Sequence, residues 1–188
     1  MSEADRLQTL RERIDALDRQ LQTLISERAR CAQQVGAIKQ AAGATGNFYR
    51  PEREAQVLRR VIEANQGPLS SEEMARLFRE IMSACLALEE PLKIAFLGPE
   101  GTFTQAAALK HFGKSIRSIP LRAIDEVFRE VEAGSADYGV VPVENSTEGV
   151  VNHTLDMFLQ SPLRICGEVQ MRINHHLLTC ATELTAIR

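Results

Sequence analysis

LQTLRERIDALDRQLQTLISERARCAQQVGAIK, residues 7–39, decides how the first half of this chain is read. Leu7, Leu10, Ile14, Leu17, Leu21 and Leu24 alternate three and four apart. That spacing is the a/d seam of an α-helix that packs lengthwise against another. Continued, the seam runs through Arg28, Cys31, Val35 and Ile38. No proline interrupts it, and Gly43 and Gly46 end it, so the pattern predicts one helix over about residues 5–40. Such a helix spans ~50 Å. No small domain covers that length, so the seam is expected to meet a partner chain.

Two shorter helices are expected next. Pro51 suits the first position of the second helix, and Gly67-Pro68 lies beyond its end. Val57, Leu58, Val61 and Ile62 form its apolar face. Ser70 with Glu73 reads as a capping box opening the third. Met74, Leu77, Phe78, Ile81, Met82 and Cys85 carry that helix's stripe, and Pro91 ends it.

From Lys93 the rhythm changes. KIAFL is a short buried strand, followed by the loop GPEGTFT and a helix, QAAALKHF, closed by Gly113. A strand near 116–119, a helix over 124–133 capped by Gly134, and a buried strand DYGVVPV follow. ENSTEG is a loop, 150–159 helical, 163–171 extended, 175–181 a strand and 183–187 the start of a helix. Alternation of this kind predicts a parallel or mixed α/β sheet. Two units result, 1–91 all-α and 92–188 α/β. The second is small for a doubly wound sheet and reads as incomplete.

Composition narrows the function classes. The chain has 188 residues, 44% of them apolar and 25% charged, with a net charge of −3. No basic stripe points to nucleic acid or to a membrane surface. The N-terminus has early acids and no apolar signal region, and no stretch approaches the roughly 18 apolar residues of a membrane span. The chain therefore reads as cytoplasmic. Cys31, Cys85, Cys166 and Cys180 are scattered without C-x-x-C spacing, which suggests reduced packing thiols and no metal site.

Several charges fall on faces that should be apolar. Arg28 lies on the first seam, and Lys39 follows about three turns on, nearly in register, so both cations can address one small anion. A snorkelling or paired arginine would satisfy the same position. Arg11 faces elsewhere and suits a partner subunit's site. Arg53 and Glu54 occupy the first turn of the second helix, where a solvated pair is also ordinary. Glu89 follows Cys85 by one turn on an apolar stripe, where burial favours a neutral acid. Together these residues line a helical bundle with cations and one acid.

These residues carry a family resemblance. LRERIDALDRQLQTLISERARCAQQVGAIK resembles the first helix of the all-helical chorismate mutases: an early arginine, a mid-helix Glu-Arg and a terminal V-G-x-x-K. PEREAQVL resembles the second-helix Arg-Glu motif and RLFREIMSACLALE the third helix. KIAFLGPEGTFT and ADYGVVPVENSTEGVV resemble the start of a prephenate dehydratase. In this order they are similar to the bifunctional P-protein family of phenylalanine biosynthesis.

The resemblance implies an intertwined three-helix dimer followed by part of a lobed, periplasmic-binding-protein-like dehydratase. It implies that Arg28 and Arg53 hold substrate carboxylate and hydroxyl, and that Arg11 clamps a carboxylate in the partner's site. Lys39 would bond the ether oxygen of chorismate, Glu54 the substrate hydroxyl, and Glu89 would be a second ether-oxygen donor. Cys85 stands where a serine often contacts substrate. Arg50 stands where the family places an aspartate, so that contact is left unassigned. The chemistry is a unimolecular rearrangement that calls for no cofactor, only charge placed against the developing oxyanion.

In the second half, Gly101 and Thr102 read either as part of a Gly-Pro turn or as anion binders at a helix N-terminus. Glu144, Asn145 and Ser146 follow a strand's C-terminal end, where α/β ligand sites cluster. The resemblance favours both as walls of a prephenate cleft. No Thr-Arg-Phe motif occurs in these 188 residues, so negligible dehydratase activity and no phenylalanine feedback are expected of them. Adjacent His175-His176 would point to opposite faces of a strand and suit no metal. The competing reading is a non-catalytic helical dimerisation module fused to a small-anion-binding lobe; Arg28 and Glu89 on apolar faces argue against it.

Overall fold

A computed structural model describes residues 2–42, 49–146 and 149–174. Helix α1 runs Glu3–Ala41, α2 Pro51–Ala64 and α3 Ser71–Ala87. Ser2 opens α1 with a complete capping box to Asp5, which places its start slightly before the predicted one. Ser70 caps α3 by accepting from the Glu73 N–H, but the Glu73 carboxylate turns to Arg76, 2.8 Å away, so the second half of the predicted box is absent.

The helical half buries few of its own apolar residues. Gly36 is the buried residue of α1 and Leu58 that of α2. Leu10, Ile14, Leu17 and Leu21 are 49–57% exposed. In α3 the buried residues are Ala75, Ser83 and Cys85, while Leu77 of the predicted stripe is exposed. Small residues allow close approach, and hydrophobic periodicity does not detect them.

The α/β half follows as β1 (Lys93–Leu97), α4 (Phe103–Phe112), β2 (Arg117–Leu121), α5 (Ile124–Glu132), β3 (Tyr138–Val140), β4 (Glu144–Asn145), β5 (Gly149–Val150) and α6 (Asn152–Gln160). Strands β2, β1 and β3 form a parallel sheet in that order, and β4 and β5 an antiparallel ribbon. In β1, Ile94, Ala95 and Phe96 are fully buried. Ile94 packs with Ala108 and Phe112 of α4, whereas Ala95 packs with Val127 of α5. Alternate side chains thus point to helices on opposite faces, which is why KIAFL is continuously apolar.

DYGVVPV is less of a strand than its composition suggests. Only Tyr138–Val140 pairs, at the sheet edge and half-buried, and Val143 is exposed. Residues 163–171 form no ladder, though Lys110 Nζ donates to the Gln170 carbonyl at 2.9 Å. The predicted elements over 175–181 and 183–187, with His175-His176, lie outside the described residues, as does Cys180. Cys85 is buried, but Cys31, on the exposed seam of α1, and Cys166, in a stretch without a ladder, are exposed thiols. No described helix is long and apolar enough to cross a membrane.

The two halves meet along α3. The Ser83 hydroxyl accepts from the Ser115 N–H at 3.3 Å, and Glu80 accepts from the Lys114 N–H at 3.1 Å. Gly113 adopts φ +80°, and a β-carbon there would lie 2.5 Å from Ser83 Cβ. Glycine is therefore required twice over, by conformation and by contact.

Candidate active site

Glu89 lies just past α3, in the turn formed when its N–H and that of Glu90 both reach the Leu86 carbonyl. It is not on the helix itself, because the helix ends at Ala87, ahead of Pro91. Its carboxyl presses on α1 at Gly36, where an added β-carbon would stand 2.5 Å from Oε2. Oε2 is buried and has no hydrogen-bond partner among the described residues. Gly36 and Lys39 are three apart on α1 and share a face, so the Glu89 carboxyl and Lys39 are brought to one neighbourhood. Cys85, one turn earlier on α3, is 3% exposed.

Arg28 is half-buried on α1, about 16 Å along the helix axis from Lys39. Two long cationic side chains converge across that interval only on a ligand between them. Arg11 is exposed and about 25 Å from Arg28 along the axis, so it cannot serve the same pocket in one chain.

In the first turn of α2, Arg53 is exposed and Glu54 turns inward. Glu54 Oε1 accepts from Arg79 Nε of α3 at 3.4 Å, with its side chain 16% exposed. The Tyr49 hydroxyl lies near enough to act on it as well. Burial pushes the Glu54 carboxyl above its ordinary range, against the opposing pull of Arg79 and Tyr49. Burial, and then the Glu54 charge, raise the Tyr49 phenol well above its usual range. Neither Tyr49 nor Arg79 stands out in the sequence: one is an aromatic in a polar loop, the other an arginine between stripe residues. Gly36 is visible within V-G-x-x-K, but its role as a seat for Glu89 is not.

The residues expected to face prephenate follow β1 and β3 in the chain. The loops after β1 and β3 leave the C-terminal ends of parallel strands. Thr102 caps α4, accepting from the Gln105 N–H at 3.4 Å and donating to the Leu97 carbonyl at 3.3 Å. The Gly101 N–H, at φ +83°, donates to Gln105 Oε1 at 2.6 Å. These donors are satisfied internally. Glu144 and Asn145 form exposed β4, and Ser146 follows in the turn. An apolar groove between α2 and α3, lined by Val57, Val61, Met74 and Phe78, contains none of the predicted site residues.

Comparison with known proteins places these two groups of residues in separate families. Residues 10–90 match chorismate mutase type II and residues 94–188 match prephenate dehydratase. A bifunctional chorismate mutase/prephenate dehydratase of Stutzerimonas stutzeri is 65% identical over 188 residues, covering 98% of this chain and 52% of that protein. The Pseudomonas aeruginosa protein of the same name is 64% identical with the same coverage. The chain thus spans about half the length of the curated relatives it matches. A solved chorismate mutase (form II) of Thermus thermophilus is 38% identical, covering 45% of this chain and 94% of that one, with a TM-score of 0.43.

Proposed function

Because the chain belongs to the chorismate mutase/prephenate dehydratase family, we propose that residues 1–91 rearrange chorismate to prephenate and that 92–188 form part of a prephenate-binding lobe. The observation that carries the first reading is the Glu89 carboxyl, seated on Gly36 beside the Lys39 face with a buried, unpartnered oxygen. A buried polar atom without a partner is costly and is satisfied by a bound ligand.

Chorismate is a dianion whose breaking C–O bond leaves negative charge on the ether oxygen. Lys39 donates to that oxygen and Glu89 is the second group placed against it; Arg28 holds a carboxylate, and Arg53 and Glu54 hold the hydroxyl. Cys85 supports the ring. These groups stabilise the transition state by placement, without a nucleophile. Arg11 reaches the site of a second copy, in a homodimer built on the exposed seam of α1. The mutase is cytoplasmic, and residues 92–188 supply one wall of a periplasmic-binding-protein-like cleft, with Gly101, Thr102, Glu144, Asn145 and Ser146 toward prephenate.

The test is loss of chorismate absorbance with the purified chain beside Lys39→Ala. The chain should consume chorismate, and removing this donor should slow it by about 100-fold or more. A folded helical dimer that leaves chorismate untouched would return the chain to the binding-module reading.

A further inference from the structure

The start of α2 has no ordinary fastening. Its N-cap, Arg50, makes no side-chain cap hydrogen bond, and Pro51 contributes no N–H. What holds it is Tyr49, one residue earlier. Tyr49 is 9% exposed and belongs to the core of the other half, with Leu92, Ile94, Ala108 and Phe112. Its ring meets Phe112 at 5.9 Å and Tyr138 at 5.6 Å between centroids, both edge-on. Such pairs fix orientation as well as burying area. The ring is thus seated in the α/β lobe while the hydroxyl returns to Glu54 in the helical half.

We propose that Tyr49, seated in the α/β lobe, is a positioning residue that, with Arg79, aims the Glu54 carboxylate at the substrate hydroxyl. This rests on the mutase reading above. A carboxylate has two oxygens and about four lone-pair sites. Arg79 occupies one oxygen, at 3.4 Å, and the nearby Tyr49 hydroxyl is available as a second donor; acceptor capacity remains for a substrate hydroxyl. Two donors from separate elements, α3 and the loop before α2, fix the carboxylate's direction. The mutase site then depends on a lobe that contributes no substrate contact to it.

The experiment uses the full 188-residue chain and kcat/KM for chorismate. Tyr49→Phe keeps the ring in its aromatic seat and removes only the hydroxyl. Loss of a hydrogen bond to a charged group should lower kcat/KM by about tenfold, with the thermal midpoint nearly unchanged. Arg79→Met should act in the same direction. In a Glu54→Ala background, Tyr49→Phe should have no further effect, because its target is gone. Equal kcat/KM in Tyr49→Phe and the parent chain would overturn the proposal and leave the mutase reading standing. So would an equal loss with and without Glu54, which marks a purely structural tyrosine. A parent chain inert toward chorismate would overturn both.

Discussion

Ile94, Ala95 and Phe96 in β1 and Leu10, Ile14 and Leu21 in α1 are comparable apolar runs with opposite fates. The β1 residues are 0% exposed; those of α1 are 56–57% exposed. Strand β1 is covered on both faces by helices from the next few dozen residues of the same chain. Helix α1, about 58 Å long, meets α3 only toward its C-terminal end. Contiguous apolar exposure on that scale marks an interaction surface. Strand β1 finds its cover within the described residues of its own chain, whereas the seam of α1 does not.

The largest effects should separate these two kinds of burial. Phe96→Ala should cost about 3–5 kcal/mol by leaving a cavity in a closed core. That cost should be the same at every protein concentration. On the proposed homodimer, Leu21→Ala should instead weaken self-association, so its cost in thermal unfolding should vary with concentration. On the proposed homodimer, Leu17→Lys with Leu21→Lys should sediment as a monomer and lose the proposed mutase activity, because Arg11 would no longer reach a second copy's site. A concentration-independent midpoint in the parent chain, with monomeric sedimentation, would break the comparison.

The contrast also explains what is legible in the sequence. Periodicity locates α1, α2 and α3 and the strand KIAFL because each has a regular apolar pattern. It misses Ala75 and Ser83 as buried positions of α3, because small and polar residues carry no such signal. It overstates DYGVVPV, since an edge strand and a central one have similar composition. Among site residues, the charges on apolar faces are visible one by one, and Arg28, Lys39, Glu54 and Glu89 can be named. The contacts that orient them are not. Tyr49 reaching Glu54 from the lobe and Gly36 seating Glu89 are pairings between distant segments, which no local pattern encodes.

Gly36 offers a smaller effect in which stability and activity part company. Helical glycine is less favourable than alanine by about 1 kcal/mol, so Gly36→Ala should raise or preserve the thermal midpoint. The added β-carbon would collide with the Glu89 carboxyl, the end of a flexible side chain that swings aside at little cost. On the proposed mutase reading, displacing Glu89 should lower kcat for chorismate by about tenfold to a hundredfold. A variant that is both more stable and fully active would show that Glu89 is not the second ether-oxygen donor.

The smallest effect lies at the seam that joins the two regions. His111, in the last turn of α4, stacks edge-on against Phe112 at 4.6 Å, and its pKa is lowered first by burial and then by Arg79 across the interface. The unfolded imidazole titrates near its ordinary value of about 6.5. Between that value and the lower folded one, the unfolded chain binds more protons, so stability rises with pH. The contribution is complete above about pH 6.5 and is lost as pH falls through it toward the folded pKa. His111→Gln should therefore flatten the dependence of the thermal midpoint on pH between about 7.5 and 5, leaving the slope from the carboxylates. An unchanged slope would mean that Arg79 and burial do not hold His111 neutral. The interface would then be looser than the Tyr49 seat requires, and the two halves more independent than their contacts along α3 imply.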